Sequence, residues 1–349
     1  MKSCRRKTMF TILILSVLFL FSGCGSSMVK MSDAGTAMGT VVQSTVYVGD
    51  ESAGKDALYE INAYLQRYDS EILSWRVEES EIAKINATAG DLQGYVLEEW
   101  TGLDRDLHTI WEISAKSEGA LDVTIGPVTQ AWNLDYWTVE DTDGFQIPSA
   151  EKIALLLEHT GYKKVSVEGN KIFLPEQMQL DLGAVGKGLV CDKIGEYLQE
   201  QTAVNAAIIT VGGSVLTFGE KPDGGAWKVA IVHPRKENAY LGTLTLKGNH
   251  FVATSGDYER YVEWEGKRYH HIMNPSTGYP ADNDVCSVTI VSESGLLSDA
   301  LSTACFVLGV DKGMALAQEY GVQALFVTKD LELVMTEGMK EIFVPTNEK

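Results

Sequence analysis

Three motifs within residues 253–309 are the most informative part of this chain. They are A-T-S-G-D-Y-E-R-Y at 253–261, H-H-I-M-N-P-S-T-G at 270–278 and S-D-A-L-S-T-A at 298–304. Asp299 and Thr303 are four residues apart, so a helix would place their side-chain oxygens on one face, and Ser302 adds another hydroxyl beside them. Hard oxygen ligands of this kind suit Mg²⁺, and a nucleotide phosphate would complete the coordination. The stretch therefore predicts a site at the start of a helix.

Short strands and helices follow one another along the rest of the chain, without strict β-α-β alternation. Strand patterns outnumber helical ones, so we predict an α+β fold with mixed or antiparallel sheets flanked by helices. The predicted strands include 41–48, 163–167, 171–174, 179–182, 207–211, 214–218, 227–232, 241–246, 324–327, 333–335 and 341–344, and the predicted helices are 53–68, 102–117, 186–199, 297–308 and 312–320.

Length and charge limit the classes of function. The chain has 349 residues, 45% of them hydrophobic, which is enough to bury a large core. Its formal net charge is −19, and no broad basic patch offsets it. A nucleic-acid backbone would be repelled, so we expect no nucleic acid among the partners.

The N-terminus has the pattern of a sorting segment. Basic residues precede an apolar run at 9–21, which then meets small residues and Cys24. This resembles a bacterial lipoprotein signal, which implies cleavage before Cys24, lipid attachment to it and anchorage at the extracytoplasmic or periplasmic side of a membrane. A plain secretory signal or an uncleaved anchor are the alternatives. We therefore expect a signal at 1–23, a tether at 24–36 and one domain at 37–349.

The remaining cysteines do not indicate a zinc site. No C-x-x-C pair and no close cluster of cysteine and histidine is present. Cys191 and Cys305 fall in apolar helical patterns and are expected to be buried thiols. A disulfide between Cys191 and Cys286 remains open at the level of sequence.

A second motif, L-D-L-G-A-V-G-K-G at 180–188, places three glycines around Lys187 at a predicted helix start. Glycines there let the backbone approach an anion at the helix N-terminus. Asp181 and the carbonyl of Ala184 could then hold ligand and metal. The alternative is that the glycines only shape a tight turn, since the spacing is not that of a Walker loop.

His271 is the candidate base, because a neutral imidazole can accept a proton at physiological pH. It follows another histidine and precedes N-P-S-T-G, so a turn histidine without chemistry is the alternative. Asp299 could likewise be only a helix cap. Trp75 and the M-G-T motif at 38–40 carry little information alone, although an aromatic ring can stack on a flavin or adenine.

Together these segments resemble the ApbE family, the FAD:protein FMN transferases. The resemblance spans almost the whole mature chain, in the order of the family's motifs. It rests on M-G-T at 38–40, S-E-I-A-K-I-N at 80–86, E-G-A-L-D-V-T-I-G-P at 118–127, the 180–188 motif, V-G-G at 211–213 and the three motifs of the opening stretch. Leu121 stands where the family usually has phenylalanine, and Asn274 where aspartate precedes the proline.

The resemblance implies an ApbE-like fold and Mg²⁺-dependent transfer of FMN from FAD to a threonine of an acceptor protein, with release of AMP. Asp299 and Thr303 would be metal ligands, with the Ala184 carbonyl and Ser302. The implied FAD-binding positions are Met38, Trp75, Ala120, Leu121, Asp122, Asp181, Lys187 and Ile272. His271 is the favoured base for the threonine proton, and Asp257 is its rival.

Two other functions remain open from sequence. Water could replace threonine, giving an FAD pyrophosphatase that releases FMN and AMP. A lipoprotein that binds FAD without turnover is the other alternative, although retention of Asp299, Thr303, Lys187 and His271 together argues against it. The expected acceptor is a subunit of a membrane redox complex or a secreted flavoprotein.

Overall fold

The computed structural model describes residues 28–134, 136–137 and 142–346. The predicted signal at 1–23 and Cys24 lie outside these residues. The helices of the described part are α1 (Glu51–Arg67), α2 (Glu81–Ala87), α3 (Leu103–Lys116), α4 (Gly126–Trp132), α5 (Ala150–Leu157), α6 (Gly186–Glu200), α7 (Gly295–Glu319) and α8 (Glu337–Ile342). A π-helix, Tyr68–Leu73, continues α1, and short 3₁₀ turns occupy Glu99–Thr101 and Tyr162–Lys164.

The strands of the described part lie in one large sheet and four small ones. In chain order they are β1 (Val29–Ala37), β2 (Thr40–Val48), β3 (Tyr95–Val96), β4 (Ser166–Glu168), β5 (Lys171–Phe173), β6 (Val204–Val211), β7 (Ser214–Phe218), β8 (Trp227–Val232), β9 (Tyr240–Leu246), β10 (His250–Gly256), β11 (Tyr261–Trp264), β12 (Lys267–His270), β13 (Met273–Asn274), β14 (Tyr279–Pro280), β15 (Val285–Ser292), β16 (Gln323–Thr328), β17 (Leu333–Met335) and β18 (Phe343–Pro345).

The large sheet has the order β1-β2-β6-β7-β10-β15-β16-β17, and each neighbouring pair is antiparallel. Helices α1, α6 and α7 pack on one face of it through the main apolar cluster. The β18-β9-β8 sheet and α8 cover the other face through a second cluster. The central strand β15 is therefore buried on both faces. This layering confirms the predicted α+β class.

Strand β1 corrects the predicted tether. Residues 29–37 pair with β2 in unbroken register as the edge of the large sheet, so the expected tether at 24–36 does not extend that far. Most side chains of β1 are exposed, and its sequence has no apolar alternation to signal a strand. Its position depends instead on the two-residue loop Met38–Gly39, where both φ angles are positive, as a type I′ hairpin turn requires.

Helix α7 carries the S-D-A-L-S-T-A motif through the centre of the molecule. By length and composition alone it could cross a membrane, yet it packs against α6, β10 and β15 as a core helix. Gly309, at φ 80°, interrupts the helical backbone, which agrees with the two separate helices predicted there. Asp299 and Thr303 both precede the break and share one face of the helix, as predicted.

The structure corrects two smaller predictions and answers a question about the cysteines. Residues 179–182 are not a strand; Gln179 makes one isolated bridge to Ile125. Helix α8 takes up the start of the strand expected at 341–344. Cys191, Cys286 and Cys305 are all buried free thiols, so the open question of a Cys191–Cys286 disulfide is answered in favour of two separate thiols.

Candidate active site

A cavity of about 1020 Å³ opens beside the start of α6. It brings together residues from six separate parts of the chain that the sequence singled out. The predicted site residues that line it are Met38, Trp75, Ala120, Leu121, Asp122, Asp181, Ala184, Lys187, His271, Ile272, Asp299 and Thr303. Its volume suits a dinucleotide better than a small metabolite.

Asp299 is the most deeply buried carboxylate among the described residues that line the cavity, with 3% of its surface exposed. Its Oδ2 accepts a 2.9 Å hydrogen bond from the backbone N of Gly188, in the first turn of α6. Its Oδ1 accepts from the Ser214 hydroxyl at 3.3 Å and lies 3.8 Å from Lys187 Nζ. A helix N-terminus favours negative charge, so the first turn of α6 stabilises this carboxylate. The carboxylate is fixed in place before any ligand binds.

Two glycines allow this contact between helices. A Cβ atom added to Gly188 would lie only 2.1 Å from the carbonyl oxygen of Gly295. A Cβ atom added to Gly295 would lie only 2.3 Å from the carbonyl oxygen of Gly188. The backbones of α6 and α7 therefore touch, and Gly188 serves helix packing rather than only anion approach. Asp192 of α6 completes the crossing by accepting from the backbone N of Gly295 at 2.6 Å and of Leu296 at 2.8 Å.

Thr303 and Ser302 are separated by the structure, although they are neighbours in sequence. Thr303 lines the cavity, whereas Ser302 is fully buried. The Ser302 hydroxyl donates to Asp299 O at 2.9 Å and lies 2.8 Å from Ser255 Oγ, which in turn lies 3.2 Å from Thr303 Oγ1. The hydroxyl of Ser302, which was predicted as a metal ligand, does not belong to the described lining of the cavity; it braces Ser255 and, through it, Thr303.

Asp257 is also placed differently from the prediction. Its carboxylate forms two hydrogen bonds with the Arg235 guanidinium, at 2.6 and 2.7 Å, and it is absent from the described lining of the cavity. Only 5% of the residue is exposed. The carboxylate is directed to Arg235 and not into the cavity, so the structure does not support Asp257 as the rival base.

His271 is half-buried in the cavity wall. Its Nδ1 lies 3.2 Å from Arg260 O, so the neutral ring donates from Nδ1 and keeps Nε2 as an acceptor. Burial, with the nearby charges of Arg260 and Lys187, lowers the pKa of His271 to about 3. The imidazole is therefore neutral at physiological pH, with its Nε2 unprotonated.

The two aspartates of the loop walls use their carboxylates to fix the backbone. Asp122 accepts from Thr124 N at 2.9 Å, Thr124 Oγ1 at 2.6 Å and Tyr162 N at 2.9 Å. Asp181 accepts from Gly183 N at 2.9 Å and from Thr129 Oγ1 at 2.7 Å. Both line the cavity, and both shape it through the loops they hold.

Several lining residues were not predicted. Asp69, Thr129 and Glu259 line the cavity, and the Arg76 guanidinium lies 4.0 Å from the centre of the Trp75 ring. Glu259 belongs to the A-T-S-G-D-Y-E-R-Y motif, so its motif was recognised but its role was not. Asp69 lies in the π-helix, and nothing in its local sequence distinguishes it from a surface carboxylate.

The fold and the cavity define an α+β protein with a nucleotide-sized pocket built on a helix N-terminus. The chain belongs to the ApbE family, whose model matches residues 38–326. A Klebsiella pneumoniae relative named FAD:protein FMN transferase is 33% identical over 313 residues, which cover 88% of this chain and 92% of the relative. One of the same name from Treponema pallidum is 32% identical over 332 residues, covering 89% and 88%.

Solved structures agree with this membership. The ApbE protein from Thermotoga maritima superposes with a TM-score of 0.79 at 29% identity, over 90% of this chain and 99% of that one. The apo form of the flavinyl transferase ApbE from Pseudomonas stutzeri gives 0.75 at 29% identity, over 90% and 97%. The predicted ApbE-like fold is therefore confirmed.

Proposed function

We propose that this chain is an FAD:protein FMN transferase that requires Mg²⁺, attaches FMN to a threonine of an acceptor protein and releases AMP. Its family membership and the names of its relatives support the transferase class, FAD as substrate and a protein acceptor. The observation that carries the finer proposal is the buried Asp299 carboxylate, held at the start of α6 beside Thr303 in a nucleotide-sized cavity.

The donor set fits Mg²⁺ better than a softer metal. Asp299, Thr303 and Ala184 offer oxygen atoms to the cavity, and no group of three or more His, Cys, Asp or Glu that could hold a metal occurs in the described residues. Mg²⁺ is usually held by one or two carboxylates together with substrate phosphates and water, so this sparse set is sufficient. When bound, the ion would neutralise charge on the pyrophosphate.

The chain's own residues account for the remaining steps. Lys187, 21% exposed at the start of α6, offers positive charge to the pyrophosphate, and the helix N-terminus adds to it. The threonine oxygen attacks the phosphorus of the FMN half, the bond from that phosphorus to the AMP phosphate breaks, and AMP leaves. The threonine proton passes to His271 Nε2, because Nδ1 is occupied by Arg260 O.

The proposed location is the outer side of a membrane, with a lipid on Cys24. The motif at the N-terminus supports this, and strand β1 begins at Val29, so only a few residues would separate the lipid from the folded domain. The active site would then work close to the membrane surface, where a subunit of a membrane redox complex is accessible. Radiolabelled palmitate incorporated into the wild-type protein but not into Cys24→Ala would test the anchor.

Intact-mass measurement of an acceptor after incubation with FAD and Mg²⁺ tests the activity. The wild-type protein should add one FMN to the acceptor and release AMP, and chelation of Mg²⁺ should stop both. Asp299→Ala should abolish transfer, whereas Asp311→Ala, an exposed carboxylate on the same helix, should not change it. Release of free FMN and AMP whether or not the acceptor is present would instead identify a pyrophosphatase, and unchanged bound FAD a carrier.

A further inference from the structure

The Met38–Gly39 turn is a strained part of the cavity wall. Met38 has φ 54°, a left-handed conformation that costs a non-glycine residue roughly 1–2 kcal/mol. Such a conformation persists only where neighbouring groups enforce it, and it is common at ligand sites. Met38 lines the cavity, so whatever enforces this turn also sets the shape of the cavity.

Asp69 holds the turn in this conformation, together with the antiparallel pairing of β1 and β2 on either side of it. The backbone N of Met38 donates a 2.7 Å hydrogen bond to Asp69 Oδ2. Asp69 itself lies on the cavity wall, in the π-helix that continues α1. One-turn π-helices are rare and frequently mark functional sites. Asp69 is 31 residues from Met38 in sequence, and the π-helix brings its carboxylate within hydrogen-bond distance of the strained turn.

The Met38–Gly39 turn also positions the side chain of Met38. A Cβ built on Gly186 would lie 3.4 Å from Met38 Cε and 3.2 Å from Leu73 Cδ1. The Met38 side chain therefore packs against the first residue of α6, immediately before Lys187. A continuous series of contacts leads from Asp69 through the Met38 turn to the helix start that holds the Asp299 carboxylate.

We propose that Asp69 is a positioning residue for FAD binding: it fixes the Met38 turn and so holds the Met38 side chain over the start of α6. The inference rests on the proposed function, because it takes FAD as the ligand of the cavity. It assigns Asp69 no contact with the reacting atoms. Loss of the carboxylate should therefore weaken FAD binding and leave the chemical step intact.

The chain provides a matched control on the same hairpin. Asp33 of β1 accepts a 2.6 Å hydrogen bond from Asn62 Nδ2 of α1, and it does not belong to the described lining of the cavity. Asp33 and Asp69 thus both link the β1–β2 hairpin to the α1 region through a carboxylate. Only Asp69 acts at the turn.

The experiment measures FAD affinity by flavin fluorescence, together with KM and kcat for transfer. Asp69→Ala should raise both the dissociation constant and the KM about tenfold, the loss expected for a hydrogen bond to a charged acceptor, with kcat within about twofold. Asp69→Asn should stay within about threefold of wild type, because its amide oxygen can accept the same N–H. Asp33→Ala should bind FAD normally.

Three outcomes would overturn the inference. Unchanged affinity in Asp69→Ala would show that the turn needs no brace, and equal loss in Asp69→Asn would show that charge matters rather than the accepted N–H. Equal loss in Asp33→Ala would reduce the effect to general loosening of the hairpin. If Asp69→Ala fails to fold, Asp69→Ser takes its place, because the shorter side chain also leaves the Met38 N–H without its carboxylate acceptor and the same loss of FAD affinity is expected. Absence of FAD binding by wild type would overturn the proposed function, whereas equal binding by wild type and Asp69→Ala overturns this inference only.

Discussion

Two halves of the stretch at 253–309 reach the cavity by different physical means. In the helical half, Asp299 and Thr303 lie on α7, and the crossing with α6 fixes them through backbone contact at Gly188 and Gly295. In the loop half, His271 enters the cavity, while Asp257 turns away to Arg235. Asp299 and Thr303, which lie on a regular helix, therefore face the direction that their four-residue spacing predicts. The directions of His271 and Asp257, which lie outside regular helices, are set by contacts with other segments of the chain.

The largest expected effect tests the loop half. His271→Ala should lower kcat of transfer by ~10²–10⁴-fold, the usual contribution of a positioned general base, with Mg²⁺ and FAD saturating. His108→Ala, an exposed histidine on α3, is the control and should be unaffected. Near wild-type transfer by His271→Ala would remove the histidine from the mechanism and leave the helical half as the whole catalytic apparatus.

A substitution at the α6–α7 crossing, which supports the helical half, should lower the free energy of unfolding. Gly188→Ala places a methyl group against Gly295 O and the Asp299 side chain, so the crossing must open. We expect a loss of about 3 kcal/mol in the free energy of unfolding, at the upper end for overpacking, measured by urea titration. Gly35→Ala on β1, where a Cβ would meet nothing within 4 Å, should be neutral. An equally small loss at both glycines would mean that the crossing is not tightly packed.

Asp257→Asn should separate structure from chemistry in the loop half. The change leaves Arg235, 30% exposed at its side chain, without its charged partner. We expect the free energy of unfolding to fall by about 2 kcal/mol, less than for a fully buried pair because Arg235 reaches solvent. Activity per folded molecule should change by less than about threefold. A hundredfold loss of kcat at unchanged stability would restore Asp257 as a base.

Ser302 and Thr303 provide a comparison within the helical half. Ser302→Ala removes a buried hydroxyl that braces Ser255, which should reduce the free energy of unfolding by about 1 kcal/mol while Mg²⁺ dependence stays normal. Thr303→Ala should instead raise the Mg²⁺ concentration needed for half-maximal activity, with Thr303→Ser as the conservative control. A raised Mg²⁺ requirement in Ser302→Ala would contradict the placement of its hydroxyl.

The smallest expected effect concerns pH. A histidine with a pKa near 3 is neutral above that value, so the fraction of active base should not fall between pH 8 and pH 5. An ordinary histidine, with a pKa near 6.5, would lose most of its neutral form across the same range. We expect kcat/KM to vary by less than about twofold over this interval on account of His271. A decline centred near pH 6.5 would show that the ring is more solvated than the cavity suggests.

The sequence predicted those parts of the fold whose signals are local. Helices α1, α3 and α6 lie within a few residues of their predicted bounds, because apolar spacing marks the face that packs on the sheet. Strand β1 was missed because its side chains are mostly exposed and its pairing depends on the turn at Met38. The cavity residues that lie in sequence motifs were predicted because their motifs are local. Asp69 was not predicted, because its contact with Met38 joins residues 31 positions apart.

Residue type, order and helical spacing were enough to predict the α+β class, the family and twelve of the residues that line the cavity. Which side-chain oxygens face the cavity depends instead on how the folded chain packs. Ser302 and Thr303 are adjacent in sequence, yet one hydroxyl is buried against Ser255 and the other lines the cavity. Side-chain direction in turns and the brace between Asp69 and Met38 arise from contacts between residues distant in sequence, which no local pattern encodes.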